Sequence, residues 1–320
     1  MNYQHTLKRA VRMAGIGLHS GKRVEMTILP APEHVGICFK RVDLDPQILI
    51  PANYQNVVST TLCTTLGIRG YDGLVTVSTV EHLMAAFSGL GIDNAMVELD
   101  GVEVPSMDGS AAPFYTAMKR AGKMRQKALR KAIKVKRPVS IEEEGKEISI
   151  EPSDGLTVDF EIDFDHPMVE RQKCVTDIVE ETFERHIARA RTFGFLHEVE
   201  YLRQNGYALG GSLENAVVVG DQGILNGDGL RFPDEFVRHK ILDLLGDFYL
   251  LGCPVIGRIT SKKSGHTLHN AILRKLMDQR DAWEFIEGEP PWQVHRFFPS
   301  PIPKKAGTIS GTTISSTAWN

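Results

Sequence analysis

Only four cysteines occur in this chain of 320 residues, Cys38, Cys63, Cys174 and Cys253, and none stands in a C-x-x-C pair. That scarcity argues against a disulfide framework and against a cysteine-built zinc site, and free thiols predict a reducing, cytoplasmic setting. No apolar run approaches the ~18 residues of a membrane span, so no transmembrane segment is expected. The stretch Met1 to Val11 is polar and charged and lacks the apolar centre of a secretory signal. The excess of one charge over the other is small too. A net charge of -3 gives no global attraction to nucleic acid, and no obligate protein partner is inferred.

What is present is ordinary globular material: 42% hydrophobic and 24% charged residues, in a chain long enough for two cores. Val24 to Leu29 alternates with period two and predicts a strand ending at Pro30. Val75-Thr76-Val77 leads into a helix from about Thr79 to Ser88, closed by Gly89 and Gly91. A strand is expected over Ala95 to Leu99, and a helix over Pro113 to Ala121. The basic stretch Lys123 to Arg137 reads as a linker. Strands at Ile148 to Ile150 and Leu156 to Phe160 then precede a helix from near Glu235 to Leu251-Gly252, and a strand over Val255 to Ile259.

The second half thus repeats the grammar of the first. Phe87 to Gly91 followed by a strand is echoed by Phe248 to Gly252 followed by a strand. The expected fold class is α+β: two similar domains, 1–126 and 127–303, each a small sheet packed with helices, with a site in the cleft between them. Residues 193–219 interrupt the repeat. Phe195, Leu196, Val199 and Leu202 mark one face of a short helix stopped by Asn205-Gly206, followed by Gly210-Gly211 and an apolar strand, Ala216 to Val219. The segment reads either as ordinary core or as an apolar appendage whose glycines let a ligand chain lie close. The Ser-, Thr- and Gly-rich tail 304–320 has no core-forming pattern and is expected to be disordered.

Two short stretches carry chemistry. His239-Lys240-Ile241-Leu242-Asp243 sets an imidazole and a carboxylate at i and i+4, on one face of a helix. Ser78-Thr79-Val80-Glu81-His82 offers a second imidazole beside a carboxylate. Two His and one Asp form a three-ligand zinc set with one open position, which leaves Glu81 free to act as base. Plainer readings compete. Ser78-x-x-Glu81 fits a capping box, and His82 by itself fits a structural histidine. The row His239, Asp243, Asp247 fits a solvated helix face. Against that, Phe236, Leu242 and Leu250 flank the row, so little of the helix suits water and the polar row needs a partner. A third cluster runs from Lys262 to His269. Lys262, Lys263 and His269 fit an exposed basic loop, whereas His266, after Gly265, can turn toward the cleft as an acid or an oxyanion partner.

Taken together, Gly15-Ile16-Gly17-Leu18-His19-Ser20-Gly21, Thr79 to Ala86, Pro105 to Ser110, Ala190 to Phe195, Leu230-Arg231-Phe232, His239 to Asp247 and Ser264-Gly265-His266 resemble the signature motifs of one family, in order, over about residues 2 to 300. It is the zinc-dependent UDP-3-O-acyl-N-acetylglucosamine deacetylase family of lipid A biosynthesis in Gram-negative bacteria. The resemblance implies one Zn2+ per chain held by His82, His239 and Asp243, with Glu81 as general base and His266 as partner acid oriented by Asp247. It also implies Thr192 as an oxyanion donor, Lys240 and Phe193 near the sugar nucleotide, and Leu18 of the first motif in the substrate-binding set. Residues 193–219 match a hydrophobic insertion that passes the acyl chain, with Phe195, Leu202, Gly211, Ala216 and Val218 as candidate lining.

The reaction so implied is hydrolysis of the 2-acetamido group of UDP-3-O-(3-hydroxyacyl)-N-acetylglucosamine, with either His266 or Glu81 protonating the leaving amine. Two rivals are a non-catalytic metal- or nucleotide-binding module and a zinc amidohydrolase acting on another acylated substrate. An open coordination position beside an unligated carboxylate disfavours the first, because structural zinc sites are closed by four protein ligands.

Overall fold

The computed structural model describes residues 3–70 and 73–288. The expected disordered tail and residues 289–303 of the expected second domain lie outside the described residues. Five sheets and six α-helices organise the described residues. The first large sheet has five strands in the order Val11–Ile16, Arg23–Pro30, Ala95–Leu99, Ile37–Arg41 and Ile48–Pro51. Its strands alternate as the sequence predicts: Val24, Met26 and Ile28 point inward while Arg23 and Glu25 face water.

Helix α1 (Glu81–Leu90) shares a hydrophobic core with this sheet and is followed directly by its central strand, Ala95–Leu99. The helix stops at Gly91, whose φ of 69° lets its N–H return to the carbonyls of Phe87 and Ser88. Helix α2 (Ala112–Ala121) packs beside α1. After the three-residue α3 (Glu180–Thr182) and α4 (Leu196–Gln204), the long α5 (Glu235–Tyr249) leads into the strand Val255–Lys262, and α6 (His266–Asp278) follows.

The strand Val255–Lys262 is central to a seven-stranded sheet, parallel to both Lys131–Val135 and Leu156–Asp163. Each half therefore has a helix feeding a central strand that runs parallel to a neighbour, which is the structural form of the echo seen in the sequence. Helices α1 and α5 pack closely on each other. A Cβ at Gly246 of α5 would collide with the Glu81 carbonyl of α1, so only glycine permits this approach. The Tyr249 hydroxyl donates to the Ile92 carbonyl at 2.8 Å and ties the ends of the two helices together. With strands behind it and α1 and α6 beside it, α5 is buried around nearly its whole circumference.

Two expectations need correction. The basic stretch Lys123 to Arg137 is no linker. Lys123–Leu129 pairs with Tyr3–Leu7, and Lys131–Val135 enters the large sheet beside Trp283–Glu287. Ile133 and Val135 point into the core while Lys131 points out, and Arg125 lies over the Tyr3 ring at 3.6 Å. Period-two burial is compatible with a basic composition because lysine and arginine stems cover apolar surface while their charges reach water. The chain thus changes sheets at Arg130. The second correction concerns the Lys262 to His269 loop. Lys262 ends a strand, Lys263 is exposed, and α6 begins at His266, so its first two turns carry His269 into the core.

Candidate active site

The first turn of α1 supplies Glu81 and His82; α5 supplies His239, Lys240, Asp243 and Asp247; the start of α6 supplies His266. Because α1 and α5 touch, the three expected ligands meet although they come from positions more than 150 residues apart. Asp243 Oδ1 lies 3.4 Å from His82 Nε2 and 3.3 Å from His239 Nε2. The three ligand atoms stand within 4.8 Å of one another, and all three residues are buried.

Hydrogen-bond accounting decides what this group can do. His239 Nδ1 faces the Ala190 carbonyl at 3.0 Å and must donate to it, which leaves the Nε2 lone pair directed at Asp243. Burial pushes the His239 imidazole down to about 3, so it is neutral. Burial would raise Asp243, but its neighbours His239, Lys240 and His82 outweigh it and hold the carboxyl well below the usual range. Lys240 Nζ pairs with Asp243 Oδ2. Asp243 Oδ1 is buried with no hydrogen-bond partner. A buried, ionised oxygen without a donor is costly. The two imidazole Nε2 atoms and this oxygen form a donor set that a divalent cation satisfies.

Glu81 stands beside the group without joining it. The expected capping box does not form: Val80 is the N-cap with no side-chain cap bond, and Ser78 Oγ instead accepts from Thr65. The box fails because Thr79 takes φ of 57°, which turns Ser78 away from the helix start. Glu81 Oε2 accepts the Thr64 N–H at 3.0 Å, and Oε1 lies 3.9 Å from His266 Nε2. Burial raises the Glu81 carboxyl, with His266 and His82 pulling the other way. Behind His266, Asp247 Oδ2 sits 2.7 Å from His266 Nδ1. Burial alone would lower His266, but Asp247 outweighs it and lifts the imidazole to about 9, while Asp247 itself is held at about 2 despite burial.

These groups open onto one cavity. Of the residues expected in the site, Glu81, His82, His239, Lys240, Asp243 and His266 line it, and so do Leu18, Thr192, Phe193 and Phe195. Asp247 lies behind the wall. Leu202, Gly211, Ala216 and Val218 do not line the cavity. The Leu202 carbonyl closes α4 by accepting from Tyr207, the Ala216 carbonyl accepts from Asn226, Val218 pairs with Gly194, and Gly211 closes a turn on Ala208. The space in front of Gly210 is taken by the Gly17 carbonyl and Ile16, so the protein's own loop, and not a ligand, explains that glycine.

Sequence reasoning missed several neighbours. Phe164 lines the cavity and packs against Phe193 and Phe195, each with ring centres 5.6 Å away. Glu103, buried, accepts from the backbone N–H of His19 and Ser20 and from the Thr79 hydroxyl, fastening the Leu18–His19 wall to the start of α1. Thr64 donates to Asp247 Oδ1 at 2.5 Å. Nothing local marks these residues, since each acts on a segment distant in sequence. His269 carried a signal, two histidines three residues apart on one helix face, that was read as surface.

Comparison with known proteins covers nearly the whole chain. Residues 4–278 match the family described as UDP-3-O-acyl N-acetylglycosamine deacetylase. A UDP-3-O-acyl-N-acetylglucosamine deacetylase from Cellvibrio japonicus (strain Ueda107) is 51% identical over 288 residues, covering 89% of this chain and 94% of that protein. That span takes in α1, α5 and the start of α6, the elements that build the cavity, and the chain belongs to the UDP-3-O-acyl N-acetylglycosamine deacetylase family, a family of metalloenzymes.

Proposed function

We propose that this chain is a zinc-dependent deacetylase. On this reading it hydrolyses the 2-acetamido group of UDP-3-O-(3-hydroxyacyl)-N-acetylglucosamine to the free amine and acetate, an early step of lipid A biosynthesis in the cytoplasm. The observation that carries the reading is the buried, unpartnered Asp243 Oδ1 between two imidazole nitrogens, with the unligated Glu81 carboxylate beside them. His82, His239 and Asp243 would hold the zinc. When bound, it supplies a Lewis acid that polarises a carbonyl and acidifies water.

The chain's own groups do the rest. Glu81 takes a proton from the attacking water, a role suited to a carboxylate raised by burial and placed within reach of His266. As the acetyl carbon becomes tetrahedral, negative charge gathers on its oxygen, and the Thr192 hydroxyl and the His266 imidazolium stabilise it. The C–N bond then breaks, the leaving nitrogen takes the Nε2 proton of His266, and acetate departs. Asp247 orients His266 and keeps it protonated through the neutral range. Lys240 and Phe193 face the sugar nucleotide with Leu18 opposite. The acyl chain leaves past Phe193, Phe195 and Phe164, which line the cavity, while Leu202, Gly211, Ala216 and Val218 lie outside it.

The two large sheets and the contact between α1 and α5 support the reading of two domains with the site between them. Four free, buried cysteines and a chain in which no described helix is long and apolar enough to cross a membrane support the cytoplasmic setting. A deacetylation assay on the acylated UDP-sugar, with metal analysis of the same sample, tests the whole reading. Acetate release that tracks zinc content supports it, and a fully active metal-free preparation ends it.

A further inference from the structure

Behind the cavity, Asp247 accepts from more than His266. His269 Nδ1 lies 2.7 Å from the same Oδ2 atom, and Thr64 Oγ1 donates to Oδ1. On its far side His269 Nε2 lies 2.9 Å from Ser264 Oγ, which lies 2.5 Å from Ser261 Oγ. His269 is fully buried, with the rings of Phe160 and Phe248 packed edge-on around it. Asp247, His266 and His269 resemble a metal set by residue type. Their 2.7 Å separations are those of hydrogen bonds, however, and the remaining nitrogen of His269 is already engaged by Ser264.

One arrangement of protons satisfies every member. An ionised Asp247 only accepts, so His266 and His269 both carry hydrogen on Nδ1. Burial keeps His269 neutral, so its Nε2 is a bare acceptor and the Ser264 hydroxyl must donate to it. Ser261 in turn donates to Ser264. The direction of the chain is fixed from Ser261 through Ser264 and His269 to Asp247.

We propose that His269, fixed as its Nδ1–H tautomer by Ser264, is a positioning residue that shares Asp247 Oδ2 with His266 and so limits how tightly Asp247 holds the His266 proton. A donor on a carboxylate spreads its charge and weakens its pull on a second donor. His269 therefore keeps His266 acidic enough to release its proton to the leaving amine. Other charged or titratable groups lie near His266 as well: Asp243 and Asp247 on α5, Glu81 on α1 and His19 from the cavity wall, while Lys240 and His82 line the same cavity. Among the described residues, His269 and Thr64 share Asp247 with it by hydrogen bonding.

The inference rests on reading His266 as the acid, and its test separates the two ideas. In the metal-loaded full chain, 15N-imidazole NMR follows the titration of His266, while kcat/KM for the acylated substrate is measured across pH. His269→Leu removes the donor and should move the His266 titration upward by about one unit. His269→Asn places an amide N–H where Nδ1–H was and should keep the wild-type position. If Leu leaves the titration unmoved, or Asn moves it as far as Leu does, His269 is packing only and the proposal falls. If the titration moves while the alkaline limb of kcat/KM stays put, His269 acts as proposed and the acid in turnover is another group. The wild-type spectrum needs no variant to fold: a His269 bearing its proton on Nε2 would overturn the proposal outright.

Discussion

Two clusters of identical composition, each two histidines and an aspartate, lie side by side on α1, α5 and α6, and they are built for opposite purposes. In His82, His239 and Asp243, two imidazole Nε2 atoms face one carboxylate oxygen that has no hydrogen-bond partner. In Asp247, His266 and His269, every polar atom facing inward has a partner at hydrogen-bond distance. The first is short of positive charge and suits a cation. The second is complete and suits a proton. Residue type alone does not separate a metal site from a proton-handling site. The account of which lone pairs remain unsatisfied does.

The largest effect expected from breaking this contrast is at the first cluster. His82→Ala, His239→Ala or Asp243→Ala should lose bound zinc and reduce deacetylation to background, checked by metal analysis beside the assay. A variant that keeps both metal and turnover would place the cation elsewhere. Next is Glu81→Gln, which should keep its metal and its fold while losing about 10²–10⁴ in turnover, the usual worth of a general base. Had Glu81 been a helix cap, the loss would instead be ~1 kcal/mol of stability. Since α1 has no side-chain cap bond, thermal denaturation of the Gln variant should match wild type.

The second cluster responds to pH. His266 is lifted to about 9, so its acid form persists through neutrality and turnover should fall as pH rises through that value. Asp247→Asn removes the anion that lifts it, and burial then dominates. The alkaline limb should move to lower pH while zinc content stays at wild-type level. Loss of zinc in Asp247→Asn would show that the two clusters are not separate. The smallest effect belongs to the cavity's aromatic wall. Phe195→Ala should lower kcat/KM for the acylated substrate about tenfold, a loss of ~1.4 kcal/mol. It should change the slow turnover of UDP-N-acetylglucosamine much less, and equal losses would remove Phe195 from the acyl passage.

Legibility differed between the two clusters for a physical reason. His239 and Asp243 are four residues apart on one helix, so their common face follows from the helical repeat, and the apolar residues flanking them announce burial. His269 obeys the same repeat relative to His266, yet the two lysines before it suggest an exposed loop. Lys263 does reach water, and the chain then turns at Ser264-Gly265 and sends α6 inward. A charge run reports on its own residues and not on those one turn later. The same error made a linker of Lys123 to Arg137, where the alternation of Ile133 and Val135 with lysines was the better guide.

From the sequence alone came the α+β class, the repeat of helix feeding strand, the residue types of the ligand set and the family motifs, because these depend on local periodicity and on ordered short patterns. Only tertiary structure could decide that Glu81 accepts from Thr64 and caps nothing, that Glu103 fastens the Leu18–His19 wall to Thr79, that Gly210 is filled by the protein's own loop, and that one Asp–His–His group lacks a donor while its neighbour has all of them. Each of these turns on a partner contributed by another segment of the chain. A hydrogen bond is satisfied or left open by what packing brings within about 3 Å, and no spacing along one strand or helix records that.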